Sequence, residues 1–242
     1  MLTKNDIKLI ARLKQKKYRI QEGLFVVEGI KTIKEFIESS FKLHQIYTTE
    51  TFGLSTSLET IISETELNKI SFFTNPNTAL ALFKLPDVIE NKEASGLIVV
   101  LDTINDPGNL GTIIRLCDWF GVSKLVCSKD TVDCYNPKVV QSTMGSLTRV
   151  KIAYVDLECY LETTKLPIYG TFMNGENVYK TNKLPQNSIL VMGNEANGIS
   201  SNIEALVSKR LAIPRFGNIQ ETESLNVATA TAIILSEFKR YV

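Results

Sequence analysis

The C-terminal stretch from residue 210 to residue 238 reads RLAIPRFGNIQETESLNVATATAIILSEF. Its first residues form a short β-like run that stops at Pro214, and a polar loop follows over residues 216–223. Ser224 stands where a helix N-cap is expected, and the apolar helix beyond it is rich in alanine. The pattern fits a cradle for a ligand at the carboxyl end of a strand. It also fits an ordinary strand and helix that close a sheet.

Upstream of this stretch, from residue 96 onward, strands and helices alternate. The run LIVVL at residues 97–101 is typical of a buried strand. Further strands are predicted at residues 124–127, 150–153, 168–172 and 189–192, and helices at residues 109–120 and 137–144. This alternation predicts a parallel α/β sheet, in which ligands bind at the carboxyl ends of the strands.

The N-terminal part of the chain has a second, smaller α/β pattern. Thr3 with Asp6 and Ser63 with Glu66 are typical of capping boxes at helix starts. Strands are predicted at residues 25–27, 43–48 and 60–62, and a helix at residues 78–83. Residues 84–95 hold a proline and five charged side chains with little periodicity, which is typical of a linker. We therefore expect one domain over residues 1–90 and a second over residues 96–242.

Composition excludes several classes of protein. Of 242 residues, 44% are apolar and 22% are charged, as in globular proteins that do not span a membrane. The longest apolar runs are too short to cross a bilayer, and the N-terminus lacks the apolar core of a signal peptide, so we expect a cytoplasmic protein. Four cysteines without a CxxC pair and a single histidine give no pattern for a metal site. Net charge is only +1, but residues 1–19 hold seven basic side chains against one acid, a distribution that suits either RNA phosphates or a solvated helix.

Two internal stretches carry glycine-rich turns. Residues 102–115 read DTINDPGNLGTIIR, and residues 189–200 read ILVMGNEANGIS. The first lacks the glycine pattern of a dinucleotide fold, and the second lacks the lysine of a phosphate-binding P-loop. Both turns follow predicted buried strands, where glycines allow a backbone to approach a ligand closely.

Taken in order, residues 102–115, 189–200 and 213–227 resemble the three signature motifs of the SpoU-type RNA ribose 2′-O-methyltransferases of the SPOUT superfamily. The resemblance identifies residues 96–242 with the catalytic domain of that family and the N-terminal part with its RNA-binding module. It implies an α/β fold with a parallel sheet and a C-terminal trefoil knot, preceded by a small α/β RNA-binding domain. It also implies a homodimer whose interface shapes the active site.

The resemblance further implies S-adenosylmethionine as cofactor and no metal. The catalytic residues it implies are Arg115, Asn109, Glu195, Ser224 and Asn226. The cofactor-binding residues it implies are Met192, Gly193, Asn194, Gly198, Ile213, Pro214 and Leu225. Because arginine holds its proton tightly, we expect Arg115 to hold a phosphate and stabilise a developing alkoxide rather than act as a base. Arg215 departs from the family, which usually has a methionine after Ile-Pro, and the following loop is longer than usual.

Several interpretations stay open. The resemblance favours ribosomal RNA over transfer RNA as substrate, because a separate N-terminal domain is present. A non-catalytic RNA-binding protein with the same fold would have no evident need for all five implied catalytic residues. A different nucleotide-using α/β enzyme is disfavoured, because the dinucleotide and P-loop patterns are missing.

Overall fold

The computed structural model describes residues 2–76, 78–86, 96–122, 124–217 and 224–241, and the chain divides into two units. The first comprises Met1–Glu90 and Asp133–Thr148, and the second comprises Asn91–Val132 and Arg149–Val242. The domains predicted from sequence cover residues 1–90 and 96–242, and the segment Asp133–Thr148, which lies within the second of these ranges, belongs to the first unit. Residues 87–95 of the predicted linker and residues 218–223 of the predicted polar loop lie outside the described residues.

The first unit builds a four-stranded sheet with helices around it. Its helices are α1 (Lys4–Arg12), α2 (Lys16–Glu22), α3 (Ile30–Ile37) and α4 (Glu64–Ile70), and its strands are β1 (Leu24–Glu28), β2 (Leu43–Thr48), β3 (Glu59–Ile61) and β4 (Ala79–Lys84). The strand order is β1-β4-β2-β3, and only the β2–β3 pair is parallel. Both predicted capping boxes are confirmed at the starts of α1 and α4.

The predicted helix over residues 78–83 is wrong, because these residues belong to β4. This strand lies between β1 and β2, and its residues from Ala79 to Phe83 have no exposed surface. A strand buried on both faces shows no alternation of apolar and polar residues, so its sequence cannot be told from a buried helix by periodicity. The helix propensity of its alanines and leucines is outweighed by pairing on both edges.

The remaining elements follow residue 96. The strands are β5 (Leu97–Leu101), β6 (Lys124–Ser128), β7 (Lys151–Val155), β8 (Ile168–Asn177), β9 (Ser188–Met192) and β10 (Lys209–Ala212), and the helices are α5 (Pro107–Trp119), α6 (Pro137–Thr143), α7 (Leu157–Glu162), α8 (Ser201–Glu204) and α9 (Val227–Lys239). The six strands form one parallel sheet in the order β10-β8-β9-β5-β6-β7. The predicted parallel α/β sheet is therefore confirmed.

The centre of this sheet positions the turns described below. Strands β5 and β9 are neighbours, paired from Leu97 with Ser188 to Leu101 with Met192, and both are buried along their whole length. The chain segments that follow Leu101 and Met192 therefore leave the sheet side by side at its carboxyl edge. Among the described residues, no helix is both long and apolar enough to cross a membrane.

The segment Asp133–Thr148 packs into the first unit, where α6 lies on β1. Nη2 of Arg19 lies 2.5 Å from Oδ2 of Asp133, and the Arg19 side chain is only 2% exposed. The Tyr135 ring packs 4.7 Å from that of Phe25. Of the seven basic side chains counted in residues 1–19, Arg19 is thus part of the core rather than of a basic surface.

Helix α9 begins two residues later than the sequence indicates. Its N-cap is Asn226, whose Oδ1 accepts hydrogen bonds from the backbone N–H groups of Ala228 and Thr229, at 3.0 and 3.2 Å. The predicted N-cap, Ser224, lies two residues before it and is exposed. Both residue types cap helices well, so propensity alone does not choose between them. The helix packs on α5 in the same unit.

Candidate active site

The loop after β9 is held closed by its own backbone. The N–H of Asn194 donates to the carbonyl oxygen of Gly198, and the N–H of Gly198 donates to the carbonyl oxygen of Asn194, each over 2.9 Å. Gly198 has a φ of +69°, a conformation that favours glycine. A Cβ at Gly193 would overlap the backbone of Gly198 and Ile199. The two glycines therefore let backbone pack on backbone, which leaves peptide groups rather than side chains at this rim.

Side chains fasten the same loop to the end of β5. Nδ2 of Asn194 donates to the carbonyl oxygen of Thr103 over 2.7 Å, and its Oδ1 accepts from two N–H groups of the loop. Asp102 is 5% exposed, and its carboxylate accepts from the N–H of Ser200 at 2.8 Å and from the Ser200 hydroxyl at 2.7 Å. Asp102 therefore stabilises the far end of the loop, although its side chain does not line the cavity described below.

The turn that follows β5 is also hydrogen-bonded to the end of β6. Thr103 has a φ of +60°, which is uncommon for a β-branched residue and carries backbone strain. Its N–H donates to Oγ of Ser128 over 2.9 Å, and that hydroxyl lies 2.9 Å from Oγ1 of Thr131. The strained turn is therefore held on both sides, by the loop after β9 and by the end of β6.

A chain of hydrogen bonds connects the three stretches singled out in the sequence. Nδ2 of Asn226 donates to Oδ1 of Asn109 over 2.8 Å, and Nδ2 of Asn109 donates to Oε1 of Glu195 over 2.5 Å. Asn109 lies in the first turn of α5, where its N–H donates to the N-cap Asp106 over 2.7 Å. Because both ends of the Asn109 amide are engaged, its orientation is fixed. One predicted catalytic residue from each stretch thus lies in one network.

A cavity of about 720 Å³ opens beside this network. Its lining includes all seven residues predicted to bind the cofactor, namely Met192, Gly193, Asn194, Gly198, Ile213, Pro214 and Leu225. Glu195 and Ser224 also line it, whereas Asn109 and Asn226 do not. Its size falls within the range of about 300–1,000 Å³ typical of small-molecule sites. The predicted set of residues is therefore brought to one place.

Arg115 is the exception among the predicted catalytic residues. It is exposed on α5 and is not among the described residues that line the cavity. It follows Asn109 by six positions, which is about 9 Å along the helix and about 240° around its axis. Within one copy of the chain, Arg115 and Asn109 therefore lie on different faces of α5.

The cavity also has a wall that the sequence did not indicate. Strand β8 runs to Asn177, five residues beyond the strand predicted at 168–172, and Thr171, Phe172, Met173 and Asn174 line the cavity. Arg210 lies 3.6 Å above the centroid of the Phe172 ring, donates to Oδ1 of Asn174 over 2.9 Å and pairs with Glu204. The rule that ligands bind at the carboxyl ends of parallel strands could have indicated this strand end.

One cysteine lies on α5, and its thiol is buried. Burial raises the pKa of the Cys117 thiol on α5 to about 12, so this cysteine is no nucleophile near neutral pH. In the described part of the chain, no three His, Cys, Asp or Glu side chains are grouped as metal ligands. The polar side chains that line the cavity include the carboxylate of Glu195 and the hydroxyl of Ser224, and the amides of Asn109 and Asn226 lie beside it in the network.

Comparison with known proteins matches both parts of the chain. Residues 96–236 match the SpoU rRNA Methylase family, and residues 4–81 match the MRM3-like substrate binding domain. The chain is 27% identical over 232 residues to the 23S rRNA (guanosine(2553)-2′-O)-methyltransferase RlmP of Bacillus subtilis, covering 93% of this chain and 92% of that protein.

Two solved structures cover the chain from end to end. One is a protein assigned to the TrmH family of RNA methyltransferases from Porphyromonas gingivalis, with a TM-score of 0.89 and 35% identity over 100% of both chains. The other is an AdoMet-bound rRNA methyltransferase from Sinorhizobium meliloti, with a TM-score of 0.88 and 27% identity over 100% of this chain and 97% of that one. The match over residues 96–236 and the end-to-end likeness at 35% identity are decisive: the chain belongs to the SpoU rRNA methylase family.

Proposed function

We propose that the protein transfers the methyl group of S-adenosylmethionine to a ribose 2′-hydroxyl of ribosomal RNA. The observation that carries this proposal is the 720 Å³ cavity, which gathers the predicted cofactor residues beside the Asn226–Asn109–Glu195 network. The relative from B. subtilis is named for this reaction on 23S rRNA, and the S. meliloti relative is AdoMet-bound. The reaction of those proteins fits the site, and their names supply the RNA class that we propose.

The cavity suits this cofactor for reasons of shape and chemistry. Gly193 lets the backbone of the loop pack on itself, which leaves peptide groups at the cavity rim, and such groups recognise an adenine edge or an amino-acid end without a side chain. Apolar side chains of Met192, Ile213 and Leu225 supply the remaining wall. When bound, S-adenosylmethionine supplies a methyl group already activated by its sulfonium.

Four residues of this chain are proposed to place the ribose. Glu195 and Ser224 line the cavity and are exposed, so their oxygens are accessible to a ribose hydroxyl at the mouth. Asn109 and Asn226 hold Glu195 in place through their fixed amides. Fixing a hydroxyl in line with the activated methyl supplies most of the catalysis that such a transfer needs.

Arg115 is proposed to act from a second copy of the chain. Since it lies on a different face of α5 from Asn109, one copy does not bring the two together. A homodimer that packs α5 against the neighbouring copy would bring an arginine to each site. There the guanidinium holds a phosphate and stabilises the oxygen as it loses its proton, while the proton leaves to water. The trefoil knot and a cytoplasmic location, both implied by the family, belong to the same proposal.

The first unit is proposed to hold the RNA. Its match to a substrate binding domain fits this role, and α1 and α2 offer cations beside an aromatic ring. Arg12 and Lys17 lie 5.5 and 5.9 Å from the centroid of the Tyr18 ring, and both cations are exposed. Exposed cations beside rings suit a strand of RNA, because phosphates and bases are both engaged.

The test uses the purified full-length chain with methyl-labelled S-adenosylmethionine and with ribosomal and transfer RNA from cells that lack the gene. Label recovered as a 2′-O-methylated nucleotide from ribosomal RNA is expected. Label recovered only from transfer RNA would mean that the substrate is transfer RNA and not ribosomal RNA. Cofactor binding without label in either pool would point to a substrate that both pools lack, such as an assembly intermediate. Neither label nor cofactor binding would overturn the proposal in favour of an RNA-binding protein that does not catalyse.

Two variants separate the roles. Arg115→Ala is expected to lower the turnover number at least 100-fold, with cofactor affinity within about twofold of wild type, because the guanidinium acts on the RNA and on the developing charge and not on the cofactor. Gly193→Ala is expected to lower cofactor affinity instead, since its Cβ would push the backbone of Gly198 and Ile199 out of the closed loop that lines the cavity. Cys159→Ser, at an exposed position, serves as the control. The opposite pattern, with Arg115→Ala losing cofactor, would contradict the assignment.

A further inference from the structure

Two aromatic side chains near the cavity are exposed to solvent. The Phe216 side chain is 80% exposed and that of Tyr179 is 37% exposed, and their centroids lie 6.2 Å apart with planes tilted by 34°. Single exposed apolar side chains are common on protein surfaces. A pair of rings that pack on each other and remain exposed forms a flat apolar surface, which we name the aromatic ledge (Tyr179 and Phe216).

The ledge adjoins the cavity through the chain itself. Arg215, the residue before Phe216, is exposed and lines the 720 Å³ cavity. It also lines a second hollow of about 460 Å³, which shares Met173, Asn174, Ile213 and Pro214 with the first. The second hollow therefore continues the cavity outward at the ends of β8 and β10, toward the ledge.

Among the described residues that neighbour the ledge in the chain, cations outnumber acids. Lys180 follows Tyr179 directly and is exposed, as is Lys183, and Arg215 borders the other ring. Glu176 is the acid on the neighbouring part of β8, and it is exposed as well. A flat aromatic surface whose two rings each adjoin a cation in the chain is suited to a polyanion that carries planar rings.

We propose that the aromatic ledge stacks a base of an unpaired nucleotide next to the methylated one, while Arg215 holds the intervening phosphate. The inference rests on the proposed function and adds a requirement, namely a single-stranded flank at the target ribose. Sequence-tolerant stacking on aromatic rings is the usual way in which proteins hold unpaired RNA bases. The ledge lies outside the cofactor residues, so it acts on RNA binding and leaves the chemistry of transfer unchanged.

The test measures the KM for an unmodified transcript of large-subunit ribosomal RNA, the turnover number and the cofactor dissociation constant. Phe216→Ala and Phe216→Leu are expected to raise the KM about tenfold or more, because losing one stacked base costs about that much affinity. Phe216→Trp keeps a ring and is expected to retain the wild-type KM. Tyr241→Ala removes another exposed ring, 56% exposed, and is the matched control.

Other outcomes would overturn the inference. An unchanged KM in Phe216→Ala, or equal effects of Phe216→Ala and Tyr241→Ala, would show that the ledge does not contact RNA. A weaker cofactor affinity would assign Phe216 to the cofactor wall, and a changed sedimentation coefficient would assign it to a contact between copies. If the wild type transfers no methyl group, the proposed function fails. The ledge is then judged by the affinity of the same transcript for wild type and Phe216→Ala, measured by fluorescence anisotropy.

Discussion

Two segments of the chain are each held by one aspartate with little exposed surface, in two different ways. In the first unit, Asp133 pairs with the charged Arg19 and holds the segment that carries α6. In the second unit, Asp102 accepts hydrogen bonds from neutral donors of Ser200 and Thr103 and holds the loop after β9. In the first case the attachment depends on one ion pair, and removing one partner leaves the other charge buried and unpaired, which is costly. Neutral donors distribute it over several bonds, and they place no counter-charge near the cavity.

The largest expected effect comes from breaking the ion pair. Asp133→Ala leaves the guanidinium of Arg19 buried without its charge partner, which destabilises proteins by about 3–5 kcal/mol. The measurement is urea unfolding followed by circular dichroism. Asp133→Asn is expected to recover little, because an amide carries no charge.

The double variant Arg19→Met, Asp133→Leu sharpens this prediction. Replacing both partners by apolar side chains of similar size is expected to restore most of the lost stability, because no charge stays buried. A loss below about 1 kcal/mol in Asp133→Ala would show that the pair contributes no more than a surface ion pair does.

A smaller effect is expected at Asp102. Asp102→Ala leaves the N–H and hydroxyl of Ser200 without an acceptor, which costs about 1–3 kcal/mol and releases the loop that lines the cavity. Cofactor affinity, measured by calorimetry, is expected to fall about tenfold, which corresponds to about 1.4 kcal/mol.

The conservative change at Asp102 separates the two kinds of attachment. Asp102→Asn keeps one oxygen as acceptor for Ser200, so it is expected to recover most of the affinity, in contrast to Asp133→Asn. If Asp102→Asn were as damaging as Asp102→Ala, the charge itself would be required, and the distinction between the two aspartates would disappear.

The smallest effect is expected at Glu28 on β1, a buried acid whose carboxylate also accepts hydrogen bonds from neutral donors. Burial raises the pKa of Glu28 above its ordinary value of 4.5, and hydrogen bonds from the Ser71 hydroxyl and the Phe72 N–H oppose this only in part. A raised pKa means that the stability contributed by the protonated form is present below pH 4.5 and is lost as pH rises through the raised pKa.

Glu28→Gln is therefore expected to flatten the fall in stability just above pH 4.5, as read from melting temperatures over a pH series. Glu66, exposed at the start of α4, gives the matched control, because hydrogen bonding to Ser63 lowers its pKa instead. An unchanged pH profile in Glu28→Gln would place the titration elsewhere.

Sequence predicted the parallel sheet well, because its strands are short apolar runs separated by capped helices. The first unit was harder. Residues 78–83 look helical because β4 is buried on both faces, and only its pairing with β1 and β2 makes it a strand. The return of Asp133–Thr148 to the first unit depends on contacts between residues more than a hundred positions apart, which no local pattern records.

The candidate site was predicted to a similar extent. The motifs indicated the residues that line the cavity, because glycines and capping residues leave strong local signals. They did not indicate Asp102, whose partner Ser200 is 98 positions away, or the extended end of β8. Asn226 replaces Ser224 as N-cap, and its amide also bonds to Asn109, a partner that is near only in the folded chain.

The ion pair between Arg19 and Asp133 also affects the order in which parts of the protein fold during synthesis. The helices and strands within residues 1–90 are synthesised long before Asp133 is added. The sheet of the first unit therefore initially lacks the segment Asp133–Thr148 that packs on it. Until then Phe25 lacks the Tyr135 ring that packs on it, and the Arg19 guanidinium lacks its carboxylate. The N-terminal unit therefore completes its folding only after part of the next domain has been synthesised. A fragment cut between the two would lose a layer of its core.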